Sequence, residues 1–327
     1  MARALVTGAT GFTGSHLAKR LLDEGHEVRL LVRSTSSASQ LELAGAHVVT
    51  GDLTNQAAVW EATNGVDVVY HVAALFRKAG LPDSAYWETN TTGTVNLLDA
   101  AHRSGVRRFV HCSTVGVLGH ISNPPADEDR PYHPGDIYQI TKCEGEKAAL
   151  HYYREMGLPV TVVRPAGIYG PGDTRWLKLF RSVARRRFVM LGSGETTIHL
   201  VYIDDLVDAF RLAADSPESV GRVYITAGDR YITLNELVRT IAEEVGAPVP
   251  KLHIPVKPVR MISGVCEDIC RLLKIEPPLY RRRVDFFIKD RAFDITRARR
   301  ELGYAPKVDV PEGVARTAAW YREQGYL

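Results

Sequence analysis

The feature that most constrains the fold is a glycine-rich turn near the N-terminus. A short apolar run at residues 4–7 leads directly into three glycines spaced three residues apart, Gly8, Gly11 and Gly14. An amphipathic segment follows at once, so the order predicts a strand, a tight turn and a helix. Glycines in such a turn permit the bend, the approach of a diphosphate and close helix–strand packing. The turn therefore predicts a dinucleotide-binding unit with phosphates at the helix N-terminus.

Composition and charge limit the classes of protein to which the chain can belong. Its 327 residues suit one elaborated domain or two unequal lobes. A hydrophobic fraction of 45% and a charged fraction of 24% are those of a soluble globular protein. The net charge of +3 is too small to indicate a nucleic-acid partner. We interpret the basic clusters Arg185–Arg187 and Arg281–Arg283 as solvated helix ends.

The sequence predicts neither a metal centre nor a membrane segment. Cys266 and Cys270 would share a helix face, but no second Cys/His pair at ligand spacing accompanies them. We therefore expect buried, reduced thiols and no metal. The first predicted strand begins within a few residues of Met1, which leaves no room for a signal peptide, and no apolar run is long enough to span a bilayer. The expected location is the cytoplasm, with no membrane partner.

Strand-like and helical patterns alternate through the first half of the chain. The predicted strands cover residues 3–7, 27–32, 47–49, 66–71, 107–112 and 160–164, and the predicted helices cover 13–24, 55–63, 86–104 and 137–156. Helices between buried strands imply right-handed crossovers and an α/β fold with a doubly wound parallel sheet. We predict a dinucleotide-binding Rossmann domain at 1–165 and a smaller C-terminal substrate lobe at 166–327. Within that lobe, segment 199–225 is expected to return to the main sheet.

A tyrosine and a lysine lie four residues apart near the start of the helix predicted at 137–156. This spacing places Tyr138 and Lys142 on one helix face. A phenol has an ordinary pKa of about 10, and a neighbouring ammonium would lower it. Tyr138 would then exchange a proton with a substrate hydroxyl or carbonyl oxygen, and Lys142 could also hold the ribose of a nicotinamide cofactor. Taken alone, the same spacing is also produced by ordinary helix-surface pairs.

Two hydroxyl residues follow the strand predicted at 107–112. Ser113 and Thr114 lie on the same sheet edge as the glycine turn, where loop residues converge on a ligand. A hydroxyl there can orient the reacting oxygen of a substrate. It can equally satisfy the last backbone groups of the strand, and the residues alone leave both interpretations open.

Together these motifs resemble the extended short-chain dehydrogenase/reductase superfamily, the family of NAD-dependent epimerases and dehydratases. The T-G-x-x-G-x-x-G pattern is met at residues 7–14, and Y-x-x-x-K by Tyr138 and Lys142. The family's Ser-Ser/Thr-x-x-Val-Tyr-Gly stretch resembles residues 113–119, with Leu118 in place of the tyrosine. In this register the resemblance implies that Thr114 is the catalytic hydroxyl, beside Ser113.

The resemblance also implies which residues bind the cofactor and how the chain assembles. Residues 51–53, 71–74, 90–96 and 164–172 match further family segments in order. The implied cofactor-binding residues are Gly8, Thr10, Gly11, Phe12, Thr13, Gly14, Asp52, Leu53, Ala73, Ala74, Ser113, Tyr138, Lys142, Pro165 and Ile168. Many relatives pair through helices like those predicted at 86–104 and 137–156, so the resemblance implies a homodimer.

Arg33, at the end of the second predicted strand, bears on the choice between NAD and NADP. NAD-selective members carry an acidic residue there for the ribose hydroxyls. Arginine cannot accept those hydrogen bonds, but it can pair with a 2′-phosphate and stack on adenine. The sequence therefore favours NADP(H) and leaves NAD(H) possible, with Arg33 then pointing only to solvent.

The substrate signal is mixed. Nucleotide-sugar enzymes of the family carry an arginine for the substrate diphosphate where this chain has Ile198 and His199, which favours a substrate without a nucleotide. Arg283 lies near another substrate arginine position of the sugar enzymes. The segment 277–304 resembles hydroxysteroid dehydrogenases and dihydroflavonol reductases equally well. Position alone suggests five further pocket residues, namely Phe76, Arg77, His120, Arg175 and Trp176.

We therefore predict an NAD(P)-dependent oxidoreductase acting on a small-molecule ketone or secondary alcohol. The resemblance assigns acid/base catalysis to Tyr138, the lowering of its pKa to Lys142 and polarisation of the reacting oxygen to Thr114. The main alternative is a nucleotide-sugar (UDP-sugar) 4-epimerase with tightly bound NAD. A cofactor-binding sensor without turnover is a weaker alternative, since all three catalytic residues are present.

Overall fold

A seven-stranded parallel sheet forms the centre of the molecule. The computed structural model describes residues 1–34, 39–77, 80–259 and 281–327. The strand order is β11-β6-β5-β4-β1-β2-β3. These strands are β1 (Arg3–Thr7), β2 (Glu27–Val32), β3 (His47–Thr50), β4 (Val68–His71), β5 (Arg108–Cys112), β6 (Val160–Pro165) and β11 (Val223–Thr226). The predicted α/β fold with a parallel, doubly wound sheet is confirmed.

Helices cover both faces of the sheet. Alternate strand residues point to opposite sides, so each strand contributes to a core on each face. Val6 and Val110 belong to one core cluster, and their neighbours Leu5 and Phe109 belong to a second. Helices α1 (Phe12–Asp23) and α8 (Ile203–Asp215) contribute to the first cluster. Helices α3 (Gln56–Thr63), α5 (Gly93–Arg103) and α6 (Ile137–Met156) contribute to the second. Continuous apolar strands are what a sheet buried on both faces requires.

The strand order reverses between β1 and β4. Successive strands run outward from β1 through β2 to β3 on one side, and from β4 through β5 to β6 on the other. In open α/β sheets the crevice at the carboxyl ends of the strands at such a switch point is where ligands bind. The end residues of the two central strands, Thr7 and His71, are hydrogen-bonded at 2.9 Å between Oγ1 and Nδ1.

The helix predicted at 86–104 is not one regular α-helix. The structure has a short helix α4 (Asp83–Tyr86), a π-helical turn over Trp87–Thr92 and then α5. The Asn90 side chain accepts a hydrogen bond from Leu75 N at 2.7 Å and donates one to Leu75 O at 3.2 Å. The wider turn thus carries an amide that binds the loop after β4, a tertiary contact that periodicity does not reveal.

The second half of the chain combines short strands with helices. The additional strands are β7 (Gly167–Tyr169), β8 (Met190–Leu191), β9 (Thr197–Ile198), β10 (Leu200–Tyr202), β12 (Ile232–Thr233) and β13 (His253–Ile254). The remaining helices are α2 (Ser39–Leu43), α7 (Leu177–Ala184), α9 (Leu234–Glu244), α10 (Arg281–Ile288), α11 (Thr296–Leu302) and α12 (Val310–Glu323). Strand β11 lies beside β6 at the edge of the main sheet. Across the described residues, no helix is both long and apolar enough to cross a membrane.

Candidate active site

The glycine turn is closely packed at the end of β1. Gly8 has a φ of +76°, and a Cβ built there would lie 2.7 Å from the Cα of Ala73, in the loop after β4. A Cβ on Gly14 would lie 2.2 Å from the carbonyl oxygen of Gly8. No side chain fits at either position, so these glycines are required for the turn to contact its neighbours.

The N-terminus of α1 is open to a ligand. Gly11 is the N-cap residue, with no side chain capping the first turn and no acidic residue within it. Its free N–H groups and positive dipole end suit phosphate oxygens. The turn at residues 8–14 therefore fits the diphosphate of a dinucleotide. Thr10 and Thr13, which the resemblance implies bind the cofactor, lie within this turn.

Helix α6 brings Tyr138 and Lys142 to the same sheet edge. Asp136 caps the helix by accepting a hydrogen bond from Gln139 N at 2.9 Å. Lys142 is buried, and its Nζ donates to the carbonyl oxygen of Cys112 at the end of β5, at 2.7 Å. Burial lowers the pKa of Lys142 below its usual value. The helix cap and this contact fix the start of α6 at the carboxyl end of β5.

The sequence predicted a lowered pKa for Tyr138, but its burial has the opposite effect. Loss of water contact raises the pKa of the phenol above its ordinary value. The cations that oppose this rise are Arg77 and Arg175. The phenol is thus held protonated, which suits a proton donor.

The two hydroxyls after β5 have different environments. Thr114 is half-buried, and its Oγ1 accepts a hydrogen bond from Gly116 N at 3.1 Å. No acceptor for its own O–H occurs among the described residues, so this group remains able to donate. Ser113 is buried, and its hydroxyl donates to Glu146 at 2.5 Å.

A polar network that the sequence did not reveal runs beneath the site. His71 contacts Thr7 through Nδ1 and Thr94 through Nε2, both at 2.9 Å. Asn90 donates from Nδ2 to the hydroxyl of Thr141, the residue before Lys142, at 3.0 Å. Burial, assisted by the nearby Lys142 charge, lowers the pKa of His71 to about 3. The imidazole is neutral and bridges β1, β4 and α5.

A second missed element is the buried ion pair between Glu146 and Arg164. Arg164 Nη2 lies 2.6 Å from the carboxylate, and both side chains are almost fully buried. Tyr132 donates to the same carboxylate at 2.8 Å. Glu146 follows Lys142 by four residues, so its helix-face spacing was the available signal. Asp136, the cap of the same helix, was also missed.

Three of the predicted pocket residues meet beside Tyr138. The ring of Phe76 packs edge-on against Tyr138, with centroids 5.0 Å apart. The Cζ of Arg77 lies 5.6 Å from the Tyr138 ring, and the Cζ of Arg175 lies 5.7 Å from the Phe76 ring. Arg175 also lies over the Phe12 ring at 5.5 Å, on the glycine turn. Aromatic and cationic side chains from both halves of the chain therefore line one wall.

The other predicted pocket residues are less closely involved. Trp176 donates from Nε1 to the carbonyl oxygen of Ile168 at 2.9 Å. His120 is exposed, and its carbonyl accepts from Arg130 at 3.3 Å. Arg283 belongs to α10, but the structure does not describe its side chain. Cys266 and Cys270 lie outside the described residues.

The remaining predicted cofactor residues lie along the sheet edge. Arg33 is exposed directly after β2, and Pro165 ends β6. Asp52 accepts from Thr54 N at 3.0 Å within its turn. Leu53 packs on α5, and Ala74 is exposed after β4.

Ile198, which is buried, stands where the sugar enzymes of the family carry the substrate arginine, and His199 follows it. His199 is buried too, with Nε2 3.0 Å from Gly228 O and Nδ1 3.3 Å from Phe293 N. Burial lowers the pKa of His199 to about 4. The side chain is therefore neutral near pH 7 and offers no cation to a diphosphate.

The family assignment follows from comparison with known proteins. The model of the NAD dependent epimerase/dehydratase family matches residues 4–227. The chain belongs to this family. It is thus an NAD(P)-dependent enzyme of the extended short-chain dehydrogenase/reductase type, as the sequence motifs predicted.

Individual relatives include both reductases and epimerases. The chain is 32% identical to a 2-alkyl-3-oxoalkanoate reductase of Stenotrophomonas maltophilia, over 97% of this chain and 98% of the relative. It is 33% identical to a UDP-glucose 4-epimerase of Mycolicibacterium smegmatis, over 98% and 99%. The crystal structure of gox2253 superposes with a TM-score of 0.86, covers 100% of both chains and is 32% identical. Similarity alone does not separate the two reactions.

Proposed function

We propose that the protein reversibly interconverts a ketone and a secondary alcohol, as a ketoreductase or hydroxysteroid-type dehydrogenase. The observation that carries this proposal is the position of Lys142, whose Nζ donates to the carbonyl oxygen of Cys112 at the carboxyl end of β5, on the helix that also carries Tyr138. Thr114 follows Cys112 by two residues, so a proton donor, a cation and a hydroxyl are available at the carboxyl edge of the sheet, where such folds bind ligands. The similarity to a curated ketone reductase supports the same activity.

The proposed chemistry assigns a separate task to each side chain. In the direction of reduction, the raised pKa keeps Tyr138 protonated, so its hydroxyl donates a proton to the substrate oxygen. Thr114 donates a second hydrogen bond to the same oxygen and orients it. Lys142, anchored on Cys112, provides positive charge that stabilises the phenolate left behind. When bound at the glycine turn, the nicotinamide cofactor supplies the hydride for the carbonyl carbon.

Arg33 supports a preference for NADP(H). It is exposed directly after β2, at the sheet edge that carries the glycine turn. An exposed guanidinium at this place suits the 2′-phosphate of NADP, whereas ribose hydroxyls would be bound better by an acidic side chain.

The uncharged pair Ile198 and His199 favours a substrate without a nucleotide. A nucleotide-sugar substrate brings a diphosphate that needs cationic partners. At this position the chain has the buried, apolar Ile198, and the neutral imidazole of the next residue, His199, is bound on both nitrogens by backbone groups. A neutral group there favours ketone reduction over sugar epimerisation.

A turnover experiment tests the proposal. Purified protein with NADPH should reduce small ketones, and Tyr138→Phe should lower kcat about 10²- to 10⁴-fold because the proton donor is removed. Cofactor affinity and melting temperature should stay near the wild-type values. Substantial activity in Tyr138→Phe would rule out the assigned role of this hydroxyl.

The second candidate is a UDP-sugar 4-epimerase, favoured by the similarity to the mycobacterial enzyme. Denaturing the purified protein and identifying what is released separates the two candidates. Stoichiometric NAD⁺ together with interconversion of UDP-sugars would favour the epimerase. An empty site with consumption of free NADPH would favour the reductase.

We also propose a homodimer that pairs through the segments 86–104 and 137–156. The exposed rings of Trp87 and Tyr153 provide apolar surface on these segments. Sedimentation equilibrium should give twice the chain mass, and a monomer at micromolar concentration would refute the pairing.

A further inference from the structure

Beside Tyr138 the structure places Arg77, an arginine that is held by an ion pair. Arg77 lies in the loop after β4, and its Cζ is 5.6 Å from the Tyr138 ring centroid. Its Nη2 lies 2.8 Å from the carboxylate of Asp136. Its Nε is buried and has no hydrogen-bond partner within the described part of the chain. Because a buried N–H without an acceptor is unfavourable, this group indicates a ligand that brings an acceptor.

The neighbouring side chains hold the guanidinium of Arg77 at the site. Asp136 accepts from Gln139 N, so the ion pair ties Arg77 to the first turn of the helix that carries Tyr138. The ring of Phe76 lies 5.6 Å from the Arg77 Cζ and also packs edge-on against Tyr138. An ion pair and two rings thus restrict the side chain, and little conformational entropy remains to be lost when a ligand binds.

The charges around this donor favour an anionic acceptor. Arg77, Arg175 and Lys142 bring three cations to the vicinity of Tyr138, whereas the paired carboxylates are those of Asp136 and Asp173. A neutral oxygen would satisfy Nε. A carboxylate would in addition balance the excess cation and form a charge-assisted hydrogen bond, which is stronger.

We propose that Arg77 recognises a carboxylate on the substrate, so that the substrate class is an oxo acid. Arg77 Nε donates to a carboxylate oxygen while Tyr138 donates to the ketone oxygen of the same molecule. Since the two side chains are neighbours, only a short carbon spacer separates the carboxylate from the ketone. The inference rests on the proposed ketone reduction and narrows its substrate.

A binding measurement without turnover tests the site directly. Octanoate and 1-octanol share a chain and differ in the head group. Titrated calorimetrically into protein loaded with oxidised cofactor, octanoate should bind about 10- to 100-fold more tightly than 1-octanol. Arg77→Met should abolish this preference, and Arg77→Lys should retain part of it because the charge remains.

The chain offers a matched control. Arg316 also lies over a tyrosine ring, with Cζ 5.6 Å from Tyr202, and pairs with a carboxylate, that of Glu312. Arg316→Met should leave the octanoate preference unchanged. Equal affinity of the wild-type protein for both probes, or retained preference in Arg77→Met, would overturn the proposal. So would a loss of cofactor affinity in Arg77→Met, which would assign Nε to the cofactor.

Turnover separates this inference from the function on which it rests. With NADPH, Arg77→Met should lower kcat/KM for 3-oxooctanoate about 10- to 100-fold more than kcat/KM for 2-heptanone, so that any common loss through Tyr138 cancels in the ratio. An equal loss for both substrates would make Arg77 a positioning residue and would overturn the carboxylate site. If octanoate binds through Arg77 while neither compound is reduced, the carboxylate site stands and ketone reduction fails.

Discussion

Two charged side chains lie four residues apart on one face of helix α6, and they differ in how many hydrogen-bond partners surround them. Lys142 is buried with the Cys112 carbonyl as its hydrogen-bond acceptor among the described residues, and burial lowers its pKa. Glu146 is buried too, but it accepts hydrogen bonds from Ser113, Tyr132 and Arg164. The comparison separates two uses of a buried charge. An incompletely compensated charge perturbs its neighbours and can take part in chemistry, whereas a fully compensated one holds elements together.

The largest expected effect tests the Lys142 side of the comparison. Lys142→Met removes the cation that stabilises the phenolate, so kcat should fall about 10²- to 10⁴-fold. The free energy of unfolding should change by no more than about 1 kcal/mol, because relief of a buried ammonium offsets the lost hydrogen bond. Steady-state kinetics and urea unfolding measure the two quantities. If Lys142→Met instead lost much stability and kept its activity, Lys142 would be a structural residue and not a catalytic one.

The Glu146 side should show the opposite pattern. Glu146→Gln leaves Arg164 buried without its counter-charge, so the free energy of unfolding should fall by about 3–5 kcal/mol. Turnover per folded molecule should change less than in Lys142→Met. Urea unfolding and active-site titration give the comparison. The exposed pair Lys147–Glu144 provides the control, since Glu144→Gln should cost at most about 1 kcal/mol.

Buried imidazoles extend the comparison to pH. Burial lowers the pKa of His71 to about 3 and that of His199 to about 4, from an ordinary value of 6.5. Between pH 6.5 and these values the unfolded chain binds protons that the folded chain does not, so stability should fall as the pH is lowered. At about 1.4 kcal/mol per pKa unit, His199 contributes up to about 3 kcal/mol of this loss.

The free energy of unfolding, measured by urea unfolding from pH 7 to 4.5, tests this predicted loss of stability in acid. His199→Asn should flatten the dependence of stability on pH, because the asparagine does not titrate. The exposed His47 is the control, and His47→Gln should leave the slope unchanged. A wild-type stability that is constant over this range would contradict the assigned burial effect.

The smallest expected effect concerns an exposed charge. Arg33→Glu should lower the ratio of kcat/KM for NADPH to that for NADH by about 10-fold or more, because the phosphate loses a cation and gains a repulsive carboxylate. Thermal stability should not change, since Arg33 is exposed. An unchanged ratio would mean that Arg33 only faces solvent and would remove the basis for the NADP(H) preference.

The sequence determined the parts of this protein whose signals are local in the chain. Short strand-like apolar runs predicted the strands of the central sheet from β1 to β6, and glycine spacing predicted the turn at residues 8–14. The Tyr138–Lys142 pair followed from helical spacing. The alternation of strand and helix patterns predicted the fold class, the family motifs predicted the family, and both predictions were confirmed.

Only the tertiary structure decided the surroundings of those residues. The π-turn at Trp87–Thr92 depends on where the loop after β4 lies, and the Glu146–Arg164 pair depends on the packing of α6 against β6. The direction of the Tyr138 pKa shift was predicted incorrectly, because desolvation exceeds the effect of nearby cations only in the packed molecule. The contact between Arg77 and Tyr138 also depends on the tertiary structure, because about 60 residues of chain separate the two side chains. Spacing reports neighbours along one element, whereas burial and contacts between elements exist only after folding.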